Sequence, residues 1–191
     1  SLEQERDAED DEEALQLVMR QSRKMSSMIN DMLSFARLER SNGEIEKQRM
    51  SLSETAESVC EDMALINERG ITLHKDIASD IFIDGNTELM SRLVINLISN
   101  AYRYGKDNGN IYVKLYSDDG KIKLSVKDDG IGIAEEEKDK IWNRFYRGDS
   151  SRSTKGTGLG LNFVQEIARL HGGEMSVEST LGEGSEFVLT I

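Results

Sequence analysis

Proline is absent from the 191 residues of this sequence, and cysteine occurs once, as Cys60. A natural chain of this length ordinarily contains proline, so its absence indicates an excised fragment of a longer protein. One cysteine excludes a disulfide framework and a cysteine-built zinc site, and it is typical of a reducing compartment. Because no stretch approaches the roughly 18 apolar residues of a membrane span and no signal-peptide pattern is present, we expect a cytoplasmic fragment that is not membrane-inserted.

Positive charge is also scarce. The 24 Lys and Arg residues face 36 Asp and Glu residues, which leaves a net charge of −12 and argues against nucleic acid as a partner. Residues 1–13 alone contain eight acidic side chains and one Arg, a pattern typical of a solvated helix start. Apolar residues still make up 37% of the chain, enough to bury one core of about 120–150 residues.

Residues 12–40 contain no glycine, and their apolar side chains recur at alternating steps of three and four, which predicts one long helix with a heptad seam. The seam positions are Leu15, Val18, Ser22, Met25, Ile29, Met32 and Ala36. A helix this apolar needs a partner, and no second long helix follows in the chain. We therefore expect a homodimer through helix 12–40, with packing of the helix on the following domain as the alternative. The helix ends at Ser41-Asn42-Gly43.

The remaining chain alternates helical and strand patterns. Ser51 and Glu54 form a capping box that predicts a helix to about Gly70, with Cys60 buried on its inner face. Further helices are predicted over 86–104 and 158–171, and strands over 71–77, 80–84, 109–117, 121–128, 174–179 and 185–191. His74 alternates with polar neighbours, which places it on the solvent side of its strand. We expect an α+β two-layer sandwich, with a mixed, mostly antiparallel sheet and helices on one face, preceded by one long helix.

Three polar motifs follow in this second part. Asn96 and Asn100 are one helical turn apart, with Arg103 on the same side, and amide oxygens are suitable ligands for Mg²⁺. Taken alone, the two asparagines could equally be satisfied polar groups of an ordinary helix. Asp128 ends a strand just before Gly130 and Gly132, where a carboxylate can accept a hydrogen bond from an exocyclic amine such as that of adenine. An ordinary glycine turn is the alternative.

The third motif, Gly156-Thr-Gly158-Leu-Gly160-Leu161, opens a helix, so its backbone N–H groups could hold phosphate. It is neither a Walker loop nor a dinucleotide-binding fingerprint, because the required lysine and the preceding strand are both missing. Between the second and third motifs lie three aromatic residues and several basic ones, among them Arg147 and Lys155. This composition suits a mobile cover over an anionic ligand.

Together these motifs closely resemble the catalytic domain of histidine kinases, which has the Bergerat ATP-binding fold. Residues 96–104 resemble the N box of that family, 128–132 its first glycine box, 141–146 its F box and 156–161 its second glycine box. All four occur in the order and spacing of the family, over about residues 50–191. One departure is Trp142, which stands where the F box usually has phenylalanine.

The resemblance implies ATP and Mg²⁺ as cofactors and a role for each matched residue. Asp128 would bind the adenine amine, Asn100 would hold Mg²⁺ and Tyr104 would lie near the base. Asn96 and Arg103 would be catalytic, Asn96 standing where ATP-hydrolysing relatives have a glutamate and Arg103 contacting phosphate. The other expected ATP-binding residues are Gly130, Gly132, Phe145, Arg147, Lys155, Gly156, Gly158, Leu159 and Gly160.

The resemblance also divides the chain, into a partial dimerisation and phosphotransfer segment over residues 1–43 and a catalytic domain over 44–191. The first hairpin helix, with its phosphoacceptor histidine, is missing, and neither His74 nor His171 is placed to replace it. The expected partners are a phosphoacceptor helix of the same parent protein, a bacterial inner-membrane sensor, and the receiver domain of a response regulator. Two alternatives are a catalytically silent ATP-binding scaffold that dimerises and a serine-directed kinase on the same fold.

Overall fold

A computed structural model describes residues 44–65, 69–148 and 158–191, together with scattered positions from 12 to 36. The chain divides into two compact units, Ser1–Gly43 and Glu44–Ile191. In the first unit every described position from 12 to 36 is helical, in line with the helix predicted there. All seven seam positions are described, and their side chains are exposed on this helix.

The second unit is built on a five-stranded mixed sheet. Its strands, in spatial order, are β2 (Thr72–Ile77), β4 (Asn110–Asp118), β5 (Lys121–Asp128), β7 (Gly184–Thr190) and β6 (Glu174–Thr180). Only the β2–β4 pair is parallel, and the three other pairs are antiparallel. Two further strands, β1 (Gln48–Ser51) and β3 (Phe82–Gly85), form a separate antiparallel pair.

Three helices pack on one face of this sheet: α1 (Leu52–Ala64), α2 (Thr87–Tyr104) and α3 (Gly160–Leu170). The alternation along β4 shows the division, because Ile111 and Val113 are completely buried whereas Tyr112 between them is 40% exposed. The other face of β4 and β5 is solvated and carries mostly charged and polar side chains. The expected two-layer α+β sandwich, with a mostly antiparallel sheet and helices on one face, is confirmed.

Local sequence signals explain where several elements begin and turn. The Ser51 hydroxyl accepts a hydrogen bond from the Glu54 N–H at 3.1 Å, which is the cap expected at the start of α1. Asn86 caps α2 in the same way. The β4–β5 hairpin turns through Asp119 and Gly120, whose φ angles of 50° and 76° match the handedness that two-residue hairpin turns require.

Both histidines have structural partners. His171 ends α3, where its Nδ1 lies 2.7 Å from the Ile167 carbonyl and its Nε2 lies 3.0 Å from the Asn86 backbone nitrogen. Because that nitrogen can only donate, the ring must be neutral with its proton on Nδ1, and burial lowers the pKa of His171 accordingly. His74 is exposed on β2 and stacks on Tyr112 at 4.8 Å, so its expected solvent-side position is confirmed.

Two elements differ from the sequence prediction. Helix α1 ends at Ala64 instead of near Gly70, and its C-cap residue Leu65 is 86% exposed, so it contributes no burial to the helix end. Cys60 is 1% exposed, as expected for the inner face of α1, and Met63 is half-buried. Strand β1 was missed altogether, since its four residues lie in a charged stretch and bury only the Met50 side chain.

Candidate functional site

A cavity with about 650 Å³ of empty volume opens between α2, the end of β5, β7 and the segment that follows β5. This space includes open solvent at the mouth of the cavity. Its lining consists of Asn100, Tyr104, Asp128, Ile131, Gly132, Ile133, Glu137, Ile141, Tyr146, Arg147, Gly148, Leu161, Ser185 and Phe187. Apolar side chains form much of the wall, and a few polar groups face the same space.

Asp128 is a buried acidic group in the cavity lining, with 5% of its surface exposed. Its Oδ1 accepts a hydrogen bond from the Gly130 N–H at 2.9 Å, and the carboxylate also accepts from the Ser185 N–H. Burial raises the pKa of Asp128 from 3.8 to about 6, an effect that Asp129 reinforces and the two backbone N–H groups oppose. Because a carboxylate can accept more than two hydrogen bonds, Asp128 retains acceptor capacity in the cavity.

The glycines after Asp128 are required by contacts of the chain with itself. A Cβ on Gly130 would lie 2.1 Å from the Tyr104 carbonyl oxygen, and one on Gly132 would lie 2.0 Å from that of Thr180. Gly132 also has a φ of 67°, which favours glycine. The structure shows a close passage between the end of α2 and the end of β6, with Gly132 lining the cavity as well.

Helix α2 supplies one wall of the cavity through Asn100 and Tyr104, one turn apart. Asn96 lies a further turn back, where its Nδ2 donates to the Arg92 carbonyl at 2.9 Å. Its Oδ1 would be 3.1 Å from a Cβ on Gly160, so the glycine leaves room for this amide beside the start of α3. Arg103 is exposed on α2 and does not line the cavity.

The segment from 135 to 148 covers another side of the cavity. The Tyr146 hydroxyl donates to the Glu137 carboxylate at 3.1 Å, and both residues line the cavity together with Arg147. Phe145 points elsewhere: it is 58% exposed and adopts a φ of 61°, while its N–H donates to the Gly158 carbonyl at 3.0 Å. The segment is thereby tied to the chain just before α3.

Trp142 and the start of α3 complete this side of the site. The indole ring packs edge-on against Phe187 with 5.9 Å between ring centroids, and the Trp142 carbonyl accepts from the Asn162 side chain at 2.9 Å. Leu159 precedes the helix and is 5% exposed. The indole therefore fills a packed position in this fold, next to the cavity wall.

The family model for histidine kinase-, DNA gyrase B- and HSP90-like ATPases matches residues 85–191, more than half of the chain. The chain belongs to this family. Sensor histidine kinase RppB of Synechocystis is 37% identical over 184 residues, which cover 93% of this chain and 40% of that protein. Full-length ShkA in complex with AMPPNP has a TM-score of 0.75 at 27% identity, over 86% of this chain and 35% of its own.

The catalytic domain of histidine kinase ThkA has a TM-score of 0.66 at 26% identity, over 77% of this chain and 95% of its own. The chain therefore contains a catalytic ATP-binding domain of the histidine kinase type, which includes the residues matched by the family model. The chain spans less than half the length of the curated sensor kinases that it resembles. Within the described residues, no helix has the length and apolar character needed to cross a membrane.

The histidine-kinase-type domain brings only part of the predicted set to the cavity. Five of the expected residues line it: Asn100, Tyr104, Asp128, Gly132 and Arg147. Seven do not line it: Asn96, Arg103, Gly130, Phe145, Gly158, Leu159 and Gly160. Lys155 and Gly156 lie outside the described residues.

Sequence reasoning missed Glu137, Ser185 and Phe187. Period-two alternation along β7 assigns the last two, with buried Leu189, to the face that packs against the helices, but it does not reveal that this strand lies beside β5. No local sequence signal marks Glu137, which follows two other glutamates in a single 3₁₀ turn, Glu135–Glu137.

Proposed function

We propose that residues 44–191 bind Mg-ATP and donate its γ-phosphoryl group to a histidine on a dimerisation helix outside this chain. The proposal is carried by one cavity on which three separate segments converge, through Asn100 and Tyr104 of α2, Asp128 of β5 and Arg147. The purine fits between the apolar walls, where Asp128 can accept a hydrogen bond from its exocyclic amine. The similarity to ShkA, whose structure is a complex with AMPPNP, supports nucleotide binding.

The donor set of the cavity also fits Mg²⁺. Among the residues described, no group of three or more His, Cys, Asp or Glu side chains could enclose a metal ion. Mg²⁺ does not need such a cage, because it retains water and takes phosphate oxygens as ligands. The Asn100 amide oxygen is a suitable neutral protein ligand, and the bound ion would supply charge neutralisation at the transferring phosphoryl group.

Asn96 favours transfer to a side chain over hydrolysis. Its amide donates to the Arg92 carbonyl and cannot accept a proton from water, so this position provides no general base. A neutral imidazole needs no such base because it is already nucleophilic. The domain then acts mainly by positioning and by neutralising charge, for which Arg103 and Arg147 are the described basic candidates.

We propose further that residues 1–43 contribute the second helix of a dimerisation hairpin. The exposed side chains of Leu15, Val18, Met25 and Ile29 form an apolar stripe on the described part of this helix. Such a stripe suits helix pairing in a homodimer. In the parent protein, the phosphohistidine would pass its phosphoryl group to the receiver domain of a response regulator.

Phosphotransfer tests the proposal directly. The chain is incubated with γ-labelled ATP and Mg²⁺, together with a separately produced dimerisation hairpin of a related sensor kinase that carries its histidine. We expect acid-labile label on the hairpin and none on a hairpin whose histidine is replaced by alanine. Acid-stable label would indicate a serine kinase, and bound ATP without transfer would indicate a silent scaffold; either result overturns the proposal.

A further inference from the structure

We propose that Ser179, on β6, is a positioning residue that sets the base selectivity of the cavity by fixing the direction of the Ser185 hydroxyl. This inference rests on the proposed ATP-binding function. Ser179 is half-buried and pairs in register with Ser185 of β7. Ser179 is not part of the cavity lining, whereas Ser185 lines the cavity and is 7% exposed.

Three short contacts converge on the Ser179 hydroxyl oxygen. It lies 2.8 Å from the Gly184 carbonyl oxygen, 2.8 Å from the Ile133 backbone nitrogen and 2.9 Å from the Ser185 hydroxyl oxygen. A carbonyl only accepts and a backbone N–H only donates. We therefore assign the single hydroxyl hydrogen of Ser179 to Gly184, whose carbonyl can only accept, while one lone pair of Ser179 receives the N–H of Ile133.

This arrangement leaves only one role for Ser185 in the pair. With that assignment Ser179 has no second hydrogen to give, so Ser185 donates its own hydroxyl hydrogen to the remaining lone pair of Ser179. The Ser185 oxygen then has only lone pairs to offer to the cavity. Ser185 also stands opposite Asp128 in the β5–β7 pairing, and its N–H donates to the Asp128 carboxylate.

Two acceptors therefore lie side by side in the cavity, the Asp128 carboxylate and the Ser185 hydroxyl oxygen. A base edge with an exocyclic amine has two N–H groups to offer, directly or through water, and it matches this pair. A base with an oxo group at that position places an acceptor against these two acceptors, so its binding is disfavoured. Ser179 thus adds to the selectivity for an amine over an oxo group without touching the ligand. It does so because the Ser185 hydroxyl hydrogen is engaged in the bond to Ser179 and cannot be donated to an oxo group.

The same hydroxyl also holds the loop after β5. By accepting from the Ile133 N–H and donating to the Gly184 carbonyl, Ser179 joins the start of the cavity-lining segment to the start of β7. A purely structural role would therefore weaken all nucleotides alike when Ser179 is changed. A positioning role for Ser185 predicts instead that the effect depends on the base.

The test measures the affinities of ATP and of inosine triphosphate, which has an oxo group in place of the amine, for the full chain with Mg²⁺. In Ser179→Ala the Ser185 hydrogen is released, so the preference for ATP over inosine triphosphate should narrow by about three- to tenfold, the scale of one hydrogen bond. Ser179→Thr keeps the hydroxyl and should restore the preference. Ser176→Ala, on the exposed face of β6, is the matched control and should change neither affinity.

The outcomes separate this inference from the proposed function. If the unchanged chain binds no ATP, the proposed function and the inference both fail. If it binds ATP and prefers it, but Ser179→Ala weakens both nucleotides equally or neither, only the inference fails. Thermal unfolding of each variant without nucleotide shows whether the fold is retained, and the ratio of the two affinities remains informative even if stability falls.

Discussion

Replacement of Asp128 by asparagine should weaken ATP binding and leave the empty domain at least as stable as before. The carboxylate is buried and already accepts from two backbone N–H groups. In Asp128→Asn the side-chain NH₂ group can face the amine of the base, and two donors cannot bond to each other. The charge-assisted hydrogen bond from the base amine to the carboxylate is therefore lost at a buried site. Such a loss costs about 1.5–3 kcal/mol, which is roughly a ten- to hundredfold fall in affinity.

Stability should move in the opposite direction because the ionised carboxylate is unfavourable in the empty cavity. The pKa of Asp128 is raised from 3.8 to about 6 in the folded state, so the folded protein binds this proton more tightly than the unfolded chain. The stabilisation from Asp128 is therefore complete below about pH 3.8 and is lost as the pH rises through about 6. At pH 7 the ionised side chain opposes folding by about 3 kcal/mol, and asparagine removes this cost.

Asparagine also satisfies the two backbone N–H groups less well, at a cost of about 1–2 kcal/mol. The variant should thus equal or exceed the original chain in stability at pH 7 and lose this advantage at pH 5. Calorimetric titration with Mg-ATP and thermal unfolding at both pH values measure the two effects. A variant that binds ATP normally, or that is clearly less stable at pH 7, would refute this account of the site.

Three further outcomes follow from other parts of the structure. Gly132→Ala should lower the free energy of unfolding by more than about 2 kcal/mol in denaturant titration, because the new Cβ collides with the Thr180 carbonyl and the φ is unfavourable for alanine. Gly182 has a similar φ but open space around it, so Gly182→Ala is the control and should cost about 1 kcal/mol. The pKa of buried His171 is lowered from 6.5, so its contribution to folding stability should be lost as the pH falls below about 6.5. The unfolding temperature of His171→Phe should therefore depend less on pH in that range than that of the original chain. The apparent mass of the chain in light scattering should rise with concentration, because the exposed apolar side chains of the helix over 12–40 favour self-association. Ile29→Glu should reduce that rise, and a strict monomer at every concentration would exclude pairing through this helix.

Features encoded by neighbouring residues were predictable from the sequence. The hairpin turn at Asp119-Gly120 depends on two residues that tolerate positive φ, and the cap at Ser51 depends on a hydroxyl three residues before an N–H. The motif around Asp128 likewise predicted a carboxylate at the end of a strand, and this carboxylate is buried in the cavity lining. In each case the information lies within about four residues.

Features that depend on distant partners were not predictable in this way. Strand β1 exists because it pairs with β3, from Gln48 opposite Gly85 to Ser51 opposite Phe82, and its own composition resembles a connector. Residues from β7 complete the cavity only because the sheet places that strand beside β5. The bond from the Asn86 N–H to His171 joins residues 85 positions apart. Such contacts follow from packing and leave no local signal.

The central claim is that the cavity beside Asp128 is the ATP site, and it is tested most directly by measuring nucleotide binding at individual residues. Backbone amide resonances of the full chain are recorded by NMR as AMPPNP and Mg²⁺ are added. The account predicts the largest shifts at the amides of Gly130, Gly132 and Ser185, and almost none at Tyr112 and Tyr116 on the exposed face of the sheet. Saturable shifts confined to that exposed face, or no shifts at the amides of Gly130, Gly132 and Ser185, would contradict it.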